Sequence, residues 1–571
     1  MSDNSLQKGR YTKYSNKIGL FSNSKHGFIS SSPEVVLNFP FKDSVLEGGM
    51  SKEDVGRDER FLHFDMDRAD IDTLEDPKVL TNFRYISKFG NKELNENSDI
   101  EFFSDDGELK QNILIKGNNL LALYTLREKL ARKVKLIYID PPYNPPSSAN
   151  TFIYNNNFNH SSWLTFMKNR LELAKELLRD DGVLICAIDE NELAYLGVLL
   201  DEIFGNERKS NYVTIVHNPR GVQGSNFSYV HEFAIFVIPK GLKTIGDRKI
   251  DTEDIEWSSL RNWGTESLRT DAKNCFYPII IKDGNIIGFG DVVKDEMHPK
   301  VNETKEDGSV YVYPIDKNGV ERKWRYARQS VDKVKDLLRT KNTSIGWQIE
   351  IGKDFGQYKT VWQDPRYDAN EYGTKLVKSL VPDVRFDFPK SLWNVYDCLH
   401  SVVADDENAI ILDFFGGSGT TGHATLELNK DGGNRKFIIV EQMDYINTVT
   451  LPRLEAVIRS DESEESFVYF ELKKYNQDFI ERVNAAENMG MLDEVYSDMA
   501  KNAFLKFWFD KKSFEKDENF RSLSLPERKK KLIEILDENQ LYLNYPDMED
   551  KKHKVTETEK VLTNRFYGQG N

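Results

Sequence analysis

The sequence predicts an α/β fold whose parallel sheet is interrupted by an insert. Two stretches, 111–240 and 388–470, alternate short apolar runs typical of buried strands with amphipathic segments of helical spacing. Such alternation predicts a parallel sheet covered by helices on both faces. Between the two stretches, residues 241–387 hold only short β-like runs, brief helical segments and polar turns, so we expect an inserted α+β domain there.

The elements follow in order along the chain. Residues 1–110 hold short acidic stretches broken by glycine, which predict an N-terminal arm with short helices. In the first α/β stretch, helices and strands alternate as NNLLALYTLREKLARK, KLIYID, HSSWLTFMKNRLELAKELLRDDG, GVLICAID and NELAYLGVLLDEIFG. The second runs as NAIILDFFGGSG, GHATLELNKDGG and KFIIVEQ. Residues 471–571 are charged and rich in helix formers, and we interpret them as a C-terminal association or docking domain.

The composition is that of an ordinary soluble protein. Of 571 residues, 30% are charged and 39% are hydrophobic, and no apolar run approaches the roughly 20 residues of a membrane-spanning helix. The polar N-terminus does not resemble a signal peptide, and the three cysteines predict neither a disulfide framework nor a metal site. We therefore expect a cytoplasmic protein. The net charge of −15 does not exclude nucleic acid, because a basic face can form locally, as at Arg322, Lys323, Arg325 and Arg328. Solvated surface charges are the alternative for this run.

The first candidate site is Asp140-Pro141-Pro142-Tyr143, directly after the strand KLIYID. Parallel α/β sheets bind ligands at the carboxyl ends of their strands, where this tetrapeptide falls. Two prolines remove backbone donors, so a carboxylate beside carbonyl oxygens forms a group of acceptors suited to an exocyclic amine. Tyr143 offers a flat face for stacking on a heterocycle. These residues suit the attack of a planar amine on an electrophile, and the alternative is a Pro-Pro turn with a capping Asp.

The second candidate site is the glycine-rich loop from Asp413 to Gly422, DFFGGSGTTG, which follows another apolar strand and opens a helix. Glycines there allow the backbone to approach a ligand closely. Glu441 ends the next strand, where an acidic side chain can hold ribose hydroxyls. The loop also satisfies G-x-G-x-x-G, so a nicotinamide or flavin enzyme is an alternative. A P-loop is excluded, because no Gly-Lys-Ser/Thr occurs in the chain.

Together the two sites resemble the motifs of DNA amino-methyltransferases. ILDFFGGSGTT resembles the D-x-F-x-G-x-G-T motif that binds S-adenosylmethionine, and IDPPYN resembles the target-amine motif. The catalytic motif precedes the cofactor motif with an insert between them, which is the order of the β group, where the insert is the target recognition domain. A release-factor glutamine methyltransferase also has a PPY tetrapeptide, but after its cofactor motif and without such an insert.

The resemblance extends to the Mod subunit of type III restriction-modification systems, from about residue 36 to the end. The segments that carry it are FPFKDSVLEGGMSKEDVGRDERFLHF, LIKGNNLLALYTL, HNPRGVQGSNFSYVHEFAIFV, WSSLRNWGTESLRTD with NCFYPI, FDFPKSLWNVYD and ENQLYLNYPDMED. It is weakest over 285–370. The resemblance implies a circularly permuted, Rossmann-like methyltransferase sheet and methylation of adenine N6 in double-stranded DNA. It also implies a homodimer and a separate helicase–nuclease restriction subunit.

Roles carry over residue by residue from this resemblance. Asp140 would accept from adenine N6, the Pro141 carbonyl would be the second acceptor, and Tyr143 would stack on the extruded base. The cofactor residues implied are Asp413, Phe415, Gly417, Gly419 and Thr420 in the loop, Glu441 for the ribose, and Lys390 with Phe388 and Pro389, which resemble the segment that closes over the methionine end. Simple core packing is the alternative for Phe415, and a solvated surface position is the alternative for Lys390.

Several features are not assigned a function. His231-Glu232 has no third metal ligand nearby, so we expect a hydrogen-bonded histidine in a strand and no metal site. Cys186 is interpreted as core. Trp347 and Trp362 are interpreted as aromatic core, and stacking on bases is the alternative for both. AFLKFWF (503–509) and LYLNY (541–545) are candidate contacts with a partner or with the core. Alternative functions are a solitary DNA adenine or cytosine-N4 methyltransferase, an NAD-dependent oxidoreductase and a catalytically silent DNA-binding scaffold.

Overall fold

The chain is described here from a computed structural model. The described residues are 76–144, 160–223, 226–250, 253, 255–382, 384, 386–460, 464–474, 476–503, 511–514, 517–536 and 542–569, with short strands at Gly19–Ser22, Gly27–Phe28, Val36–Asn38, Ser44–Val45 and Arg60–Phe61. Two compact units emerge. The first comprises Met1–Gly246 and Lys359–Asn571, and the second is Asp247–Tyr358.

One large sheet organises the first unit. In chain order its strands are β1 (Leu80–Ser87), β2 (Gly90–Glu93), β3 (Asn112–Lys116), β4 (Val134–Ile139), β5 (Leu178–Ile188), β6 (Arg208–Val216), β7 (His231–Pro239), β8 (Val361–Trp362), β9 (Ile410–Asp413), β10 (Lys436–Glu441) and β11 (Ser466–Leu472). Their order across the sheet is β8-β6-β7-β5-β4-β9-β10-β3-β11-β1-β2. The run from β5 to β11 in that order is parallel throughout, and antiparallel pairs flank it on both sides. The predicted α/β sheet is confirmed.

Helices connect and cover these strands. They are α1 (Asn119–Leu130), α2 (His160–Leu177), α3 (Leu193–Phe204), α4 (Leu376–Leu380), α5 (Leu392–Val403), α6 (Thr420–Leu428), α7 (Leu451–Ser460), α8 (Gln477–Ala485), α9 (Met489–Asn502), α10 (Lys511–Phe514), α11 (Glu518–Ser522), α12 (Leu525–Ile535) and α13 (Glu557–Tyr567). Every residue of β4 is buried, because helices cover both faces of a parallel sheet. None of the helices described is long and apolar enough to cross a membrane.

The two predicted sites meet because of the strand order. β4 and β9 are neighbours although an insert separates them in the chain, and Leu136 and Ile137 pair with Ile411 and Leu412. From β4 the chain continues to β5 on one side, and from β9 it continues to β10 on the other. Such a reversal of strand order opens a crevice at the carboxyl ends of the strands, which is where ligands bind in this class of sheet.

The second unit is the inserted domain, and it is shorter than the predicted 241–387. Its strands are Asp247–Lys249, Trp257–Ser259, Ile279–Lys282, Asn285–Phe289, Asn302–Thr304, Val310–Val312, Leu338–Thr343, Gly346–Gly352 and Phe355–Gln357, and the helical turns described in it are 3₁₀. It is therefore richer in β structure than the α+β domain expected. The segment after it rejoins the first unit, because β8 pairs with β6 and buries Trp362 against Phe236.

The flanking segments also contribute to the first unit. The predicted N-terminal arm supplies β1 and β2, and the predicted C-terminal domain supplies the end of β11 and helix α13. On α13, Leu562, Phe566 and Tyr567 are buried in the main core. Helices α8, α9 and α12 form a small core of their own. Most of AFLKFWF lies outside the described residues.

The described part of LYLNY packs against this chain itself. Tyr542 is buried in the main core, and its hydroxyl accepts from the Asn118 backbone N–H at 2.9 Å. Leu543 is also buried and donates its backbone N–H to Lys473. Core packing, the alternative weighed for this segment, is therefore what the structure shows.

Candidate active site

A cavity of about 440 Å³ opens at the carboxyl ends of β4 and β9. Its volume lies within the range of small-molecule sites. The predicted residues that line it are Asp140, Pro141, Pro142, Tyr143, Phe388, Pro389, Lys390, Asp413, Phe415, Gly417, Thr420 and Glu441. Gly419, also predicted, is the N-cap of α6 in the same loop. One site thus collects residues from both halves of the interrupted sequence.

The glycine loop turns sharply between β9 and α6. Gly417 and Gly419 have φ angles of +50° and +79°, which side chains rarely adopt. At Gly416 the constraint is space, because an added Cβ would lie 2.4 Å from Ile439 Cγ2. The Thr450 hydroxyl donates to the Gly417 carbonyl at 2.6 Å and holds the turn from α7's side. The loop can therefore lie close to β10 and present its backbone to the cavity.

Two buried carboxylates frame this loop. Asp413 accepts from the Phe415 N–H at 2.9 Å and from the Thr421 hydroxyl at 2.6 Å. Glu441 accepts from the Gly417 N–H at 2.9 Å, and also from the backbone N–H groups of the two residues that follow it. Burial raises the pKa of Asp413 to about 7 and also raises the pKa of Glu441. Backbone and hydroxyl donors thus hold both side chains in place.

A buried arginine supports the loop from below. Arg453 is fully buried, and its Nη1 donates to Ser418 Oγ at 3.0 Å and to Thr420 Oγ1 at 2.8 Å. Burial lowers its pKa to about 9. The Thr420 side chain therefore faces Arg453 and helps to anchor the loop.

The glycine loop, Asp413 and Glu441 form one half of the cavity, called the cofactor half below. Its residues fit S-adenosylmethionine. Glu441 offers a carboxylate acceptor for hydroxyl donors, and Phe415 supplies an apolar wall while packing on Phe166 at a centroid distance of 5.8 Å. Phe415 is thus both core and lining. Carboxyl groups outnumber the Lys390 ammonium in the cavity lining, with Glu232, Asp368 and Asp387 among them, and this excess of acidic groups suits a cationic ligand.

The other half of the cavity holds the residues predicted to be catalytic, Asp140 to Tyr143, and is called the catalytic half below. It contains a compact group of charged side chains. The Lys390 ammonium contacts the Glu232 carboxylate and the Tyr143 hydroxyl, and it lies 3.3 Å from Asp140 Oδ1. Tyr143 also donates to Glu232 Oε2 at 3.0 Å. Only 12% of the Lys390 side chain is exposed, so the solvated-surface alternative is wrong. Lys390 lies among the residues predicted to be catalytic, beside Asp140 and Tyr143.

The backbone acceptors of the tetrapeptide differ from each other. The Pro142 carbonyl accepts from Trp163 Nε1 at 2.8 Å. Among the described residues, nothing is seen to donate to the Pro141 carbonyl. This arrangement leaves Pro141 as the backbone acceptor beside Asp140. Burial raises the pKa of Asp140, and the neighbouring Lys390 opposes that rise.

Sequence reasoning missed Glu232 and Asn394. Glu232 is 3% exposed on β7, and Asn394 Nδ2 donates to its Oε1 at 2.9 Å. The signal for Glu232 was a carboxylate at the start of the apolar run FAIFVIP, because burying an unpaired charge in such a strand is costly. Among the described residues, no group of three or more His, Cys, Asp or Glu side chains is placed to hold a metal ion. Cys186 is buried core, as expected.

Comparison with known proteins identifies the family. A sequence model of the DNA methylase family, which covers N6 and N4 methyltransferases, matches residues 134–451. A Haemophilus influenzae protein named "Probable type III restriction-modification enzyme HindVI Mod subunit" is 28% identical, and the match covers 98% of this chain and 88% of that protein. The EcoPI Mod subunit of Escherichia phage P1 is 29% identical over 60% of this chain and 59% of its own length.

Two further similarities are more partial. Type II methyltransferase M.KpnI of Klebsiella pneumoniae is 30% identical over 57% of this chain and 79% of its own length. Among solved structures, the crystal structure of the M1.HpyAVI–SAM complex is 14% identical over 60% of this chain and 100% of that chain, with a TM-score of 0.29.

The family model begins at the first residue of β4 and ends at the first residue of α7, so it includes the tetrapeptide Asp140–Tyr143, the insert and the glycine loop. It spans more than half of the chain. The chain therefore belongs to the DNA methylase family and is an S-adenosylmethionine-dependent DNA methyltransferase.

Proposed function

We propose that this enzyme methylates adenine at N6 within a specific double-stranded DNA sequence, as the modification and specificity subunit of a type III restriction-modification system. The observation that carries the proposal is the meeting of Asp140 and the glycine loop in one cavity, at the ends of the adjacent strands β4 and β9. The type III assignment is supported by similarity to the HindVI Mod subunit along nearly the whole chain.

In the cofactor half, Glu441 would bind the ribose hydroxyls, and Asp413, Phe415, Gly417, Gly419 and Thr420 would form the loop around the rest of the molecule. When bound, S-adenosylmethionine supplies a methyl group on a positively charged sulfonium. The glycine loop is held by Thr450 and Arg453, so it needs little rearrangement on binding. Such preorganisation lowers the entropic cost of binding.

In the catalytic half, Asp140 and the Pro141 carbonyl would accept hydrogen bonds from the amino group of the target base. Two acceptors on the N–H groups orient the amine toward the methyl group, and positioning of this kind is a large part of catalysis. Pro142 fixes the loop through Trp163, and Tyr143 would contact the base. The base must leave the DNA duplex to reach these residues, at a cost of a few kcal/mol.

The inserted unit Asp247–Tyr358 would read the DNA sequence. It is a separate compact body with its own core, built around residues such as Tyr277, Trp324 and Ile349. Such a body can change its surface without disturbing the sheet that carries the chemistry. Replacing it with the insert of a relative should change the methylated sequence, and an active chimera with an unchanged methylation pattern would contradict this role.

We propose that the chain forms a homodimer and binds a separate restriction subunit, as the type III assignment suggests. We also propose a cytoplasmic location, where its DNA substrate lies. Deleting 471–571 cannot test these contacts, because it removes α13 and its buried residues Leu562 and Phe566. Light scattering of the full chain tests the dimer. Co-purification with a restriction subunit encoded beside the gene tests the second partner.

One experiment separates adenine-N6 from cytosine-N4 methylation. The full chain is incubated with radiolabelled S-adenosylmethionine and unmethylated double-stranded DNA, and the nucleosides are then separated. Label in N6-methyl-2′-deoxyadenosine supports the proposal. Label in N4-methyl-2′-deoxycytidine, which the family also allows, would contradict it. Absence of label in both nucleosides, from folded protein that binds S-adenosylmethionine and on DNA of sufficient sequence diversity, would also contradict it.

A further inference from the structure

The buried ammonium of Lys390 is shared by two carboxylates that come from distant parts of the chain. Asp140 follows β4, and Glu232 lies in β7. Lys390 Nζ is 3.3 Å from Asp140 Oδ1 and closer to Glu232 Oε2. The cation is therefore drawn toward Glu232 rather than held midway.

Glu232 is firmly held in this position. Its side chain is 5% exposed. Oε1 accepts from Asn394 Nδ2 at 2.9 Å, and Oε2 accepts from the Tyr143 hydroxyl at 3.0 Å. Breaking a buried ion pair by removing one partner leaves an uncompensated charge. Removing Glu232 would therefore leave Lys390 with Asp140 as its remaining carboxylate partner.

The charge balance matters for the amine chemistry. With both carboxylates ionised and Lys390 protonated, the three groups carry a net charge of minus one. Without Glu232, Lys390 and Asp140 would form a neutral pair, and the ammonium would occupy the acceptor that the target amine needs. A strong charge-assisted hydrogen bond to Lys390 would then compete with the weaker one from a neutral amine.

We propose that Glu232 is a positioning residue that holds the Lys390 ammonium to one side of Asp140, so that the Asp140 carboxylate still accepts a hydrogen bond from the target amino group. This inference rests on the proposed function of the site. Glu232 acts through Lys390 and Asp140.

The pKa values of the group agree with this arrangement. Burial raises the pKa of Asp140, Lys390 lowers it, and Glu232 raises it again. Burial alone would lower the pKa of Lys390, but Asp140 and Glu232 outweigh burial, and the ammonium stays protonated. Other titratable groups that interact electrostatically with these three side chains are Tyr138, Tyr143, Asp189, His217, Cys398 and Asp413.

The test compares Glu232→Gln with Lys390→Met in the full-length enzyme. Glu232→Gln should lower kcat on DNA at least about tenfold, while the Kd for S-adenosylmethionine measured by calorimetry changes less than about threefold. Its acidic limb in the kcat–pH profile should move to lower pH, because Asp140 loses a neighbouring negative charge. Lys390→Met should move that limb to higher pH, because Asp140 loses its cation. A merely structural role would not shift the two limbs in opposite directions.

The matched control is Glu559→Gln. Glu559 also forms a buried ion pair, with Lys473 at 2.8 Å, in the same unit but outside the cavity. The Glu559→Gln substitution should leave the kcat–pH profile unchanged. Glu232→Asp keeps the charge and should restore part of kcat. If Glu232→Gln fails to fold, the Glu232→Asp and Lys390→Met profiles carry the test.

Failure of the inference differs from failure of the proposed function. A wild-type enzyme that transfers no methyl group to DNA overturns the proposed function. An active wild type with an unchanged kcat and profile in Glu232→Gln overturns only the role of Glu232. Loss of cofactor binding with normal kcat at saturating cofactor would also overturn that role, because it would place Glu232 in the cofactor half.

Discussion

The two halves of the cavity hold their charges in different ways. In the cofactor half, Asp413 and Glu441 bind backbone N–H and hydroxyl groups that are close to them in the folded loop and strands. In the catalytic half, the charge of Asp140 is balanced by Lys390 from the segment before α5, and Lys390 also pairs with Glu232 from β7. The cofactor half therefore depends on local backbone geometry, whereas the catalytic half depends on charges that long-range packing brings together.

This difference predicts that substitutions in the two halves separate chemistry from binding. Asp140→Ala should reduce kcat by about 10²–10⁴-fold, because it removes the proposed acceptor of the target amine. S-adenosylmethionine affinity should stay within about tenfold of the wild type, since Asp140 ends a different strand from the glycine loop. Rapid-quench methylation and calorimetry measure the two quantities. Lost cofactor binding with normal turnover at saturation would reverse our division of roles.

In the cofactor half, Gly419→Ala should weaken S-adenosylmethionine binding about tenfold, because the φ angle of +79° costs on the order of 1–2 kcal/mol with a side chain present. Its Cβ would also lie 3.0 Å from Thr450 Cγ2. The value of kcat at saturating cofactor should change little.

Gly432→Ala is the matched control for that loop. Gly432 has a φ angle of +95° and no atom within 4 Å of an added Cβ, and it is outside the cavity lining. It should lose a similar amount of stability and keep its cofactor affinity. Equal losses of affinity in both variants would show that the effect comes from general destabilisation.

A smaller effect is expected from substituting Glu192, which contacts Asn144, the residue that follows the tetrapeptide Asp140–Tyr143. Glu192 Oε1 lies 2.6 Å from Asn144 Nδ2 and 2.8 Å from His160 Nδ1, so one carboxylate joins the residues on either side of 145–159. Asn144 has a φ angle of +55°. Glu192→Ala should lower kcat about fivefold by loosening the position of Tyr143 and its neighbours.

The control for Glu192 is Glu190→Ala, which removes an exposed carboxylate from the same turn. Steady-state methylation with a single DNA substrate compares the two. If both variants keep the wild-type kcat, the contact between Glu192 and the catalytic loop has no kinetic role.

The smallest expected effect is on stability and concerns Asp413. Its folded pKa of about 7 exceeds its ordinary value of 3.8. Between those pH values the folded protein keeps a proton that the unfolded chain releases, so this group lowers stability as pH rises. Asp413→Asn, which cannot ionise, should raise Tm relative to wild type by about 2–4 °C at pH 8 and by less at pH 5. A difference that is constant over this range would contradict the buried, ionising carboxylate.

Sequence reasoning worked best for sites that consist of residues contiguous in the chain. DPPY and DFFGGSGTTG each follow an apolar strand, and strand ends are where such sheets bind ligands, so both sites could be located in advance. The roles assigned within them stay predictions. The boundaries of the insert were less accurate, because Trp362 belongs to an edge strand too short to show a periodic pattern.

The amino-acid sequence by itself determined the strand–helix alternation, the two motifs and their permuted order, because these depend on local spacing. Only the tertiary structure decided that Glu232 and Lys390 meet at Asp140. These residues lie on three separate segments of the chain. The packing of the sheet, and not closeness in the sequence, brings the three charged side chains together. Burial then makes that pairing necessary, because a lone charge in this cavity would be too costly to keep.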